Sequence, residues 1–265
     1  MDSKGNDALA GSAIHEDWVA KYRTPEAQRF YEMAFDAIVE ELAPKPGAVI
    51  LDAGCGTCAK SVLLAQRGFH VVAADFAPDA LERAAPTIAA YGVADRITLR
   101  QGNLLDLPFK DGEFHYAICW GVLMHVPEVG KALAELARVL APGGKLVLSE
   151  GNMRAWQSYA LRGAKKLLGR GRGRVARVPL GLETSEDTHE GTLLTRQTDM
   201  PAFIAACRAL GLELRTRRAG QFSELYTLAP KPLRSLIHTF NKLWFRYIRA
   251  AGPAFGNILI FEKRA

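Results

Sequence analysis

The 265 residues carry 34 Lys and Arg against 28 Asp and Glu, a net charge of +6, with 49% apolar and 23% charged residues. That balance is one of a folded domain large enough for a full core, and it excludes a disordered or fibrous chain. No run of about 18 apolar residues occurs, so no spanning helix is expected. The polar N-terminus shows no secretory apolar core, and four scattered cysteines, Cys55, Cys58, Cys119 and Cys207, exclude a disulfide framework and suit a reducing cytoplasm.

Residues 1–13 are small and polar and are expected to be disordered. Trp18, Tyr22, Phe30, Tyr31, Ala34, Phe35, Ile38 and Leu42 recur at helical spacing and predict one or two helices, with a break at Thr24-Pro25, an N-cap followed by Pro at the first helical position. The apolar run Val49-Ile50-Leu51, entered through Pro46-Gly47, predicts a buried strand. Gly54 and Gly56 turn the chain, and a helix follows from about Cys58 to Gln66. Strand, glycine turn and helix present backbone N–H groups to a nucleotide-like ligand. The next strand, from His70 to Ala74, ends in Asp75, 23 positions after Asp52. That offset suits a carboxylate accepting from ribose hydroxyls. Gly54-x-Gly56-x-x-Ala59 also fits a dinucleotide fingerprint, but Asp52 at the strand tip would repel a pyrophosphate and suits a cationic ligand. Cys55-x-x-Cys58 has a metal-ligand spacing but lacks a second pair, so no metal is expected.

Pro78 to Ala90 predicts a helix that Pro86 kinks or stops. Ile97–Gln101 and Phe114–Trp120 predict strands three and four, Ala132–Leu140 a helix, and Lys145–Ser149 strand five. Regular alternation of strand and helix argues a parallel sheet covered on both faces. After Glu150 the pattern dissolves. Trp156–Leu168 reads as a helix, and the stretch to 198 is too long for an empty loop. Asp199–Leu210 reads as a capped helix, Leu212–Arg217 as a sixth strand, Pro232–Ala250 as a helix and Asn257–Phe261 as the last strand. Seven bases and no acid fill residues 162–177, and seven bases with one acid fill 231–265, so the rest of the chain is net negative. These segments read as solvated faces, or as contacts to a membrane surface or an anionic lipid-linked substrate. No aromatics interleave the arginines of 162–177, which counts against nucleic acid there.

V-I-L-D-A-G-C-G-T-C-A, followed in order by G-N-L-L-D-L-P-F, G-V-L-M-H-V-P-E and R-V-L-A-P-G-G-K-L-V-L, resembles the class I S-adenosylmethionine-dependent methyltransferases of small-molecule type. The resemblance implies an α/β, Rossmann-like, doubly wound seven-stranded sheet. The sheet would be mostly parallel, with an antiparallel last strand at its edge, N-terminal cap helices and an inserted lid. The expected division is 1–46 as terminus and caps, 47–150 as cofactor-binding core, 151–198 as lid and 199–265 as the remainder of the sheet with an inserted helix. It implies S-adenosylmethionine as cofactor, held by Asp52, Ala53, Gly54, Cys55, Gly56, Asp75 and Phe76. Asn103 and Leu104 would meet the adenine, Trp120 would pack on adenine or substrate, and Tyr22 would close the site from the cap. Two departures stand out: His115 and Cys58 occupy positions where the family commonly has Asp and Gly. His125 is the candidate general base by residue type, although the family often keeps a His there as a pocket wall. The activity this implies is methyl transfer to a small molecule, by preference O-methylation of a metabolite, quinone or lipid-linked sugar, with N- and C-methylation open. A nicotinamide-dependent oxidoreductase and a catalytically inactive cofactor-binding scaffold are the alternatives. Acceptor and oligomeric state are not legible from these residues.

Overall fold

A computed structural model describes residues 24–168, 173–188 and 191–265, with no side-chain description for 164–168. Tyr22, Trp18, His189 and Glu190 lie outside the described residues, as does the segment 1–13.

Helix α1 (Pro25–Leu42) begins where the sequence places it. The Thr24 hydroxyl accepts from the Ala27 N–H at 3.3 Å, with Pro25 at the first position. Its aromatic and aliphatic stripe is buried, and Lys145 Nζ donates to the last carbonyls, of Glu41 and Leu42, at 3.1 and 3.0 Å. There follow β1 (Val49–Ala53), α2 (Ala59–Gln66), β2 (His70–Asp75), α3 (Pro78–Ala90), β3 (Ile97–Gln101), β4 (Phe114–Trp120), α4 (Val129–Val139) and β5 (Leu140–Gly151). Pro86 neither stops nor ends α3. It lies on the exposed side, where the carbonyl deprived of its partner reaches water.

The sheet runs β3-β2-β1-β4-β5-β10-β9, where β9 is Leu212–Ala219 and β10 is Gly256–Lys263. β1 to β5 are parallel, and β10 is antiparallel to both its neighbours. The last strand is therefore not at the edge, which is a correction to the expectation. Ile258 to Phe261 are buried on both faces, whereas Leu-Glu-Leu-Arg-Thr-Arg-Arg in β9 carries the charges an edge requires. One core packs α1, α2 and α3 on one face, and the other packs α4 and α6 (Met200–Ala209) on the opposite face. The strand order reverses between β1 and β4, which opens a crevice at their carboxyl ends.

The inserted stretch is more ordered than a loop. Helix α5 (Trp156–Leu168) is followed by an antiparallel three-stranded sheet of β6 (Arg174–Val178), β7 (Gly181–Thr188) and β8 (Gly191–Thr198). The Met153 N–H donates to the Thr198 carbonyl at 3.0 Å, so the insertion leaves and rejoins the core at one place. Asp199 precedes α6 but does not cap it with its side chain; its carboxylate takes the Arg154 guanidinium at 2.9 Å instead. Helix α7 (Lys231–Leu243) runs into a π turn (Trp244–Ile248) before β10.

Candidate active site

The crevice is lined by the ends of four adjacent strands. The tip of β1 is buried Asp52, whose Oδ2 accepts from Ser61 Oγ on α2 at 2.6 Å. The glycine turn then crosses to β2. Gly54 and Cys55 donate backbone N–H groups to the Ala74 carbonyl at 2.8 and 3.0 Å, and Gly56 N–H donates to Asp75 Oδ2 at 2.8 Å. Asp75 Oδ1 also accepts from Ala77 N–H at 3.0 Å. The acid 23 positions after Asp52 is thus tied to the glycine turn itself. Gly54 (φ +82°) and Gly56 (φ +53°) both lie in left-handed backbone, where a side chain is strained. A Cβ on Gly54 would meet both Val122 methyls at 2.6 Å, whereas a Cβ on Gly56 would meet nothing within 4 Å. Cys58 has φ 59°, which gives the physical reason a glycine would be comfortable there.

Burial pushes the Asp52 carboxyl up to about 6, against the opposing effects of the Ser61 hydrogen bond and Lys60; the charge of Asp75 adds to the rise. Two carboxylates therefore share one small region, and the charge of Asp75 disfavours the ionised form of Asp52. The Cys55 thiol is also pushed up, by its hydrogen bond to Cys58 and by burial, so it stays protonated.

Asn103 sits just beyond β3. Its Oδ1 accepts from Leu105 N–H at 2.9 Å, an Asx turn in its own loop, and Gly102 N–H donates to the Asp75 carbonyl at 2.9 Å. Leu104 is buried in the α4-side core, Ala53 is buried beside it, and Phe76 is exposed at the end of β2. Trp120 packs between α1 rings, edge-on to Tyr31 at 6.2 Å and tilted against Phe35 at 5.3 Å. The Lys60 ammonium lies 3.2 Å over the Tyr31 ring. His125 ends a short 3-10 turn (Leu123–His125) and is buried. Its Nδ1–H donates to the Leu194 carbonyl of β8 at 2.7 Å, which leaves Nε2 as the basic atom of that tautomer. Burial lowers its pKa, and Arg196 lowers it further against the opposing effect of that carbonyl.

Three features were not anticipated. Ser61 was hidden in an apolar helix, with its isolation among Val and Leu the one available signal. Buried Arg196 donates to the Leu123 and Val126 carbonyls at 3.0 Å and pairs with Glu183. It pins β8 onto the 123–127 turn, and the opposed charges Glu183 and Arg196 in separate strands were the signal. Glu150 is buried at the end of β5, where it accepts from Thr198 Oγ1 at 2.8 Å, and burial raises it to about 7. Its Oε1 has no partner among the described residues.

Residues 50–144 match the family model described as a methyltransferase domain. Over 114 residues the chain is 40% identical to a demethylmenaquinone methyltransferase of Clavibacter sepedonicus, covering 43% of this chain and 45% of that one. Over 117 residues it is 32% identical to a probable chloroplastic tocopherol O-methyltransferase of Oryza sativa subsp. japonica, covering 44% and 32%. The match thus spans less than half the length of these curated relatives. Among solved structures, the magnesium protoporphyrin IX methyltransferase of Synechocystis PCC 6803 with bound SAH superposes with a TM-score of 0.66 at 16% identity, covering 98% of each chain. At that identity the likeness is one of fold.

Proposed function

We propose, from a core that matches a methyltransferase domain over residues 50–144, that the protein is a class I S-adenosylmethionine-dependent methyltransferase that transfers a methyl group from S-adenosylmethionine to a small-molecule acceptor. The observation that carries this reading is the shared negative charge of Asp52 and Asp75 beside a glycine turn that is open at Gly56. Such a place suits a cationic sulfur nucleoside and disfavours a pyrophosphate. When bound, the cofactor would supply an electrophilic methyl on a sulfonium, with the neutral thioether as the good leaving group for an in-line nucleophile.

The protein's own contribution is placement. Asp75 retains acceptor capacity for a ribose diol on oxygens that already hold the turn. Asp52 offers negative charge toward an ammonium. Ala53, Cys55, Phe76, Leu104 and Trp120 are assigned to the walls, and Asn103 and the Leu104 N–H to the adenine edge. Tyr22 is assigned to the cap. His125 is assigned as the base for a hydroxyl acceptor, acting through Nε2, with β6–β8 as the lid that walls the acceptor side. The curated relatives named for demethylmenaquinone and tocopherol favour a quinone or phenolic lipid as acceptor. Among the described residues no helix is long and apolar enough to cross a membrane. All four cysteines are free and buried, in keeping with a reducing compartment such as the cytoplasm.

The test is calorimetric titration with S-adenosylhomocysteine and with NAD, then incubation of the protein with methyl-labelled cofactor and a short-chain demethylmenaquinol. Binding of S-adenosylhomocysteine but not of NAD, and label in the quinol, are expected. Tight NAD binding without the other would refute the reading, and cofactor binding with no labelled product from any extract would favour a scaffold.

A further inference from the structure

Helix α7 is mounted with its apolar residues facing outward. Its inner face carries His238 and Asn241, and Phe245 follows in the π turn, all three buried. Asn241 is clamped to one residue twice: its Oδ1 accepts from Ser223 N–H at 3.0 Å, and its Nδ2 donates to the Ser223 carbonyl at 2.8 Å. His238 stacks on the Tyr226 ring at 4.2 Å. These contacts fix the helix's rotation, so the outward face is a built feature of the fold.

That face is Leu233, Leu236, Phe240 and Leu243, spaced i, i+3, i+7 and i+10, which gathers them into a sector about 80° wide. Tyr247 and Ile248 continue it in the π turn. Leu236 is 67% exposed, Leu243 51% and Tyr247 69%, although each is a large apolar or aromatic side chain. Single exposed apolar residues need no explanation, but a contiguous stripe of them marks an interaction surface.

The charge around the stripe selects the partner. From residue 225 to 261 the chain carries Lys231, Arg234, Lys242, Arg246 and Arg249 and no acid. Among the described residues none of these five forms an ion pair. The Arg246 guanidinium leans over the Tyr247 ring at 5.7 Å, an aromatic and a cation side by side at the edge of the apolar stripe. The neighbouring acids are Glu26, Asp36 and Glu40 of α1 and Glu224, just before the Leu225–Thr227 turn whose Tyr226 packs on His238. Asp36 and Glu40 line a shallow depression with Arg246 and Arg249, and Asp36 already takes the Arg67 guanidinium. An apolar stripe with Arg246 at its edge and Arg249 just past its C-terminal end, in a segment with no acid, is the pattern of a helix lying in the interface of an anionic bilayer.

We infer that α7 and its π turn dock the protein on anionic lipid membranes, with Leu233, Leu236, Phe240, Leu243 and Tyr247 among the acyl chains and Arg246 and Arg249 at the headgroups. The inference is independent of the methyl-transfer reading, and an acceptor drawn from a bilayer would give it a use.

The experiment is flotation of the full chain with vesicles of phosphatidylcholine alone and of phosphatidylcholine with 30 mol% phosphatidylglycerol (roughly the anionic content needed for a strong surface potential). The wild type is compared with Leu236→Asp, Tyr247→Asp and Arg246→Glu. Because the two apolar positions are exposed, their variants bury no charge, and unchanged urea midpoints and S-adenosylhomocysteine affinities check the fold and the site separately. Binding to the anionic vesicles is expected, weakened roughly tenfold or more by each apolar-to-Asp change and by the charge reversal, and weakened also by salt. No binding to anionic vesicles, or binding that the variants leave unchanged, would overturn the inference. So would a lipid-free dimer that the same variants dissociate, since the face would then belong to a second copy.

Discussion

Gly54→Ala tests the construction of the site at its tightest point. The added Cβ would meet the two Val122 methyls at 2.6 Å, far inside contact distance, and the residue is held at φ +82°. Left-handed backbone costs a non-glycine residue about 1–2 kcal/mol, and overpacking adds about 1–3 kcal/mol. The expected loss is therefore about 2–5 kcal/mol, read from urea unfolding followed by tryptophan fluorescence. Gly56→Ala separates the two contributions, because its Cβ would meet nothing within 4 Å at φ +53°. It should cost about 1–2 kcal/mol in stability yet weaken S-adenosylhomocysteine binding roughly tenfold, if the open space is where ligand lies. Val122→Ala added to Gly54→Ala should recover about 1–3 kcal/mol of the double-mutant sum, because it removes the methyls that collide. Equal destabilisation at the two glycines, or no recovery from Val122→Ala, would show that the contact between the β1 turn and the β4 loop is misread.

Other perturbations read other parts of the site. Asp52 has a folded pKa of about 6 against an ordinary value of 3.8, so the folded protein binds more protons in that window and stability falls as pH rises through it, then levels off. Asp52→Asn keeps an acceptor for Ser61 and should flatten this slope. It should raise stability at pH 8 by on the order of 3 kcal/mol while weakening cofactor binding, and unfolding midpoints at pH 4 to 8 with calorimetry at pH 8 would check both. Arg196→Ala strips two main-chain carbonyls of their donor and leaves Glu183 without its partner. A loss of about 3–5 kcal/mol is expected, with faster hydrogen exchange in β8 than in β1; unchanged exchange in β8 would contradict the anchoring role. Asp75→Asn can still accept from one of Gly56 and Ala77 but not as a charge, so S-adenosylhomocysteine affinity should drop roughly tenfold or more, with a urea midpoint shifted less than in Gly54→Ala.

Much of the core was legible because its signals are local. Thr24-Pro25 starts a helix wherever it occurs with an apolar stripe behind it, and Gly54-x-Gly56 after a β-branched run turns the chain whatever lies around it. Even the spacing from Asp52 to Asp75 is local in this sense, since one strand, one helix and the next strand have nearly fixed lengths. What stayed hidden depends on residues far apart in sequence. The partner of Arg196 is thirteen residues away across a hairpin, and the turn it holds is about seventy residues away. The position of β10 inside the sheet, the outward mounting of α7 through Asn241 and Ser223, and the burial of Glu150 against Thr198 are of the same kind.

The amino-acid order by itself determined the alternating strands and helices, the glycine turn and the two acids beside it, because hydrophobic period, positive-φ backbone and like charge act over a few residues. Only the tertiary structure decided which face of each element is covered and which carbonyl a buried cation finds. Burial and pairing are properties of surfaces brought together by the whole chain, and the same leucine stripe reads as core or as exposed face until its neighbours are in place.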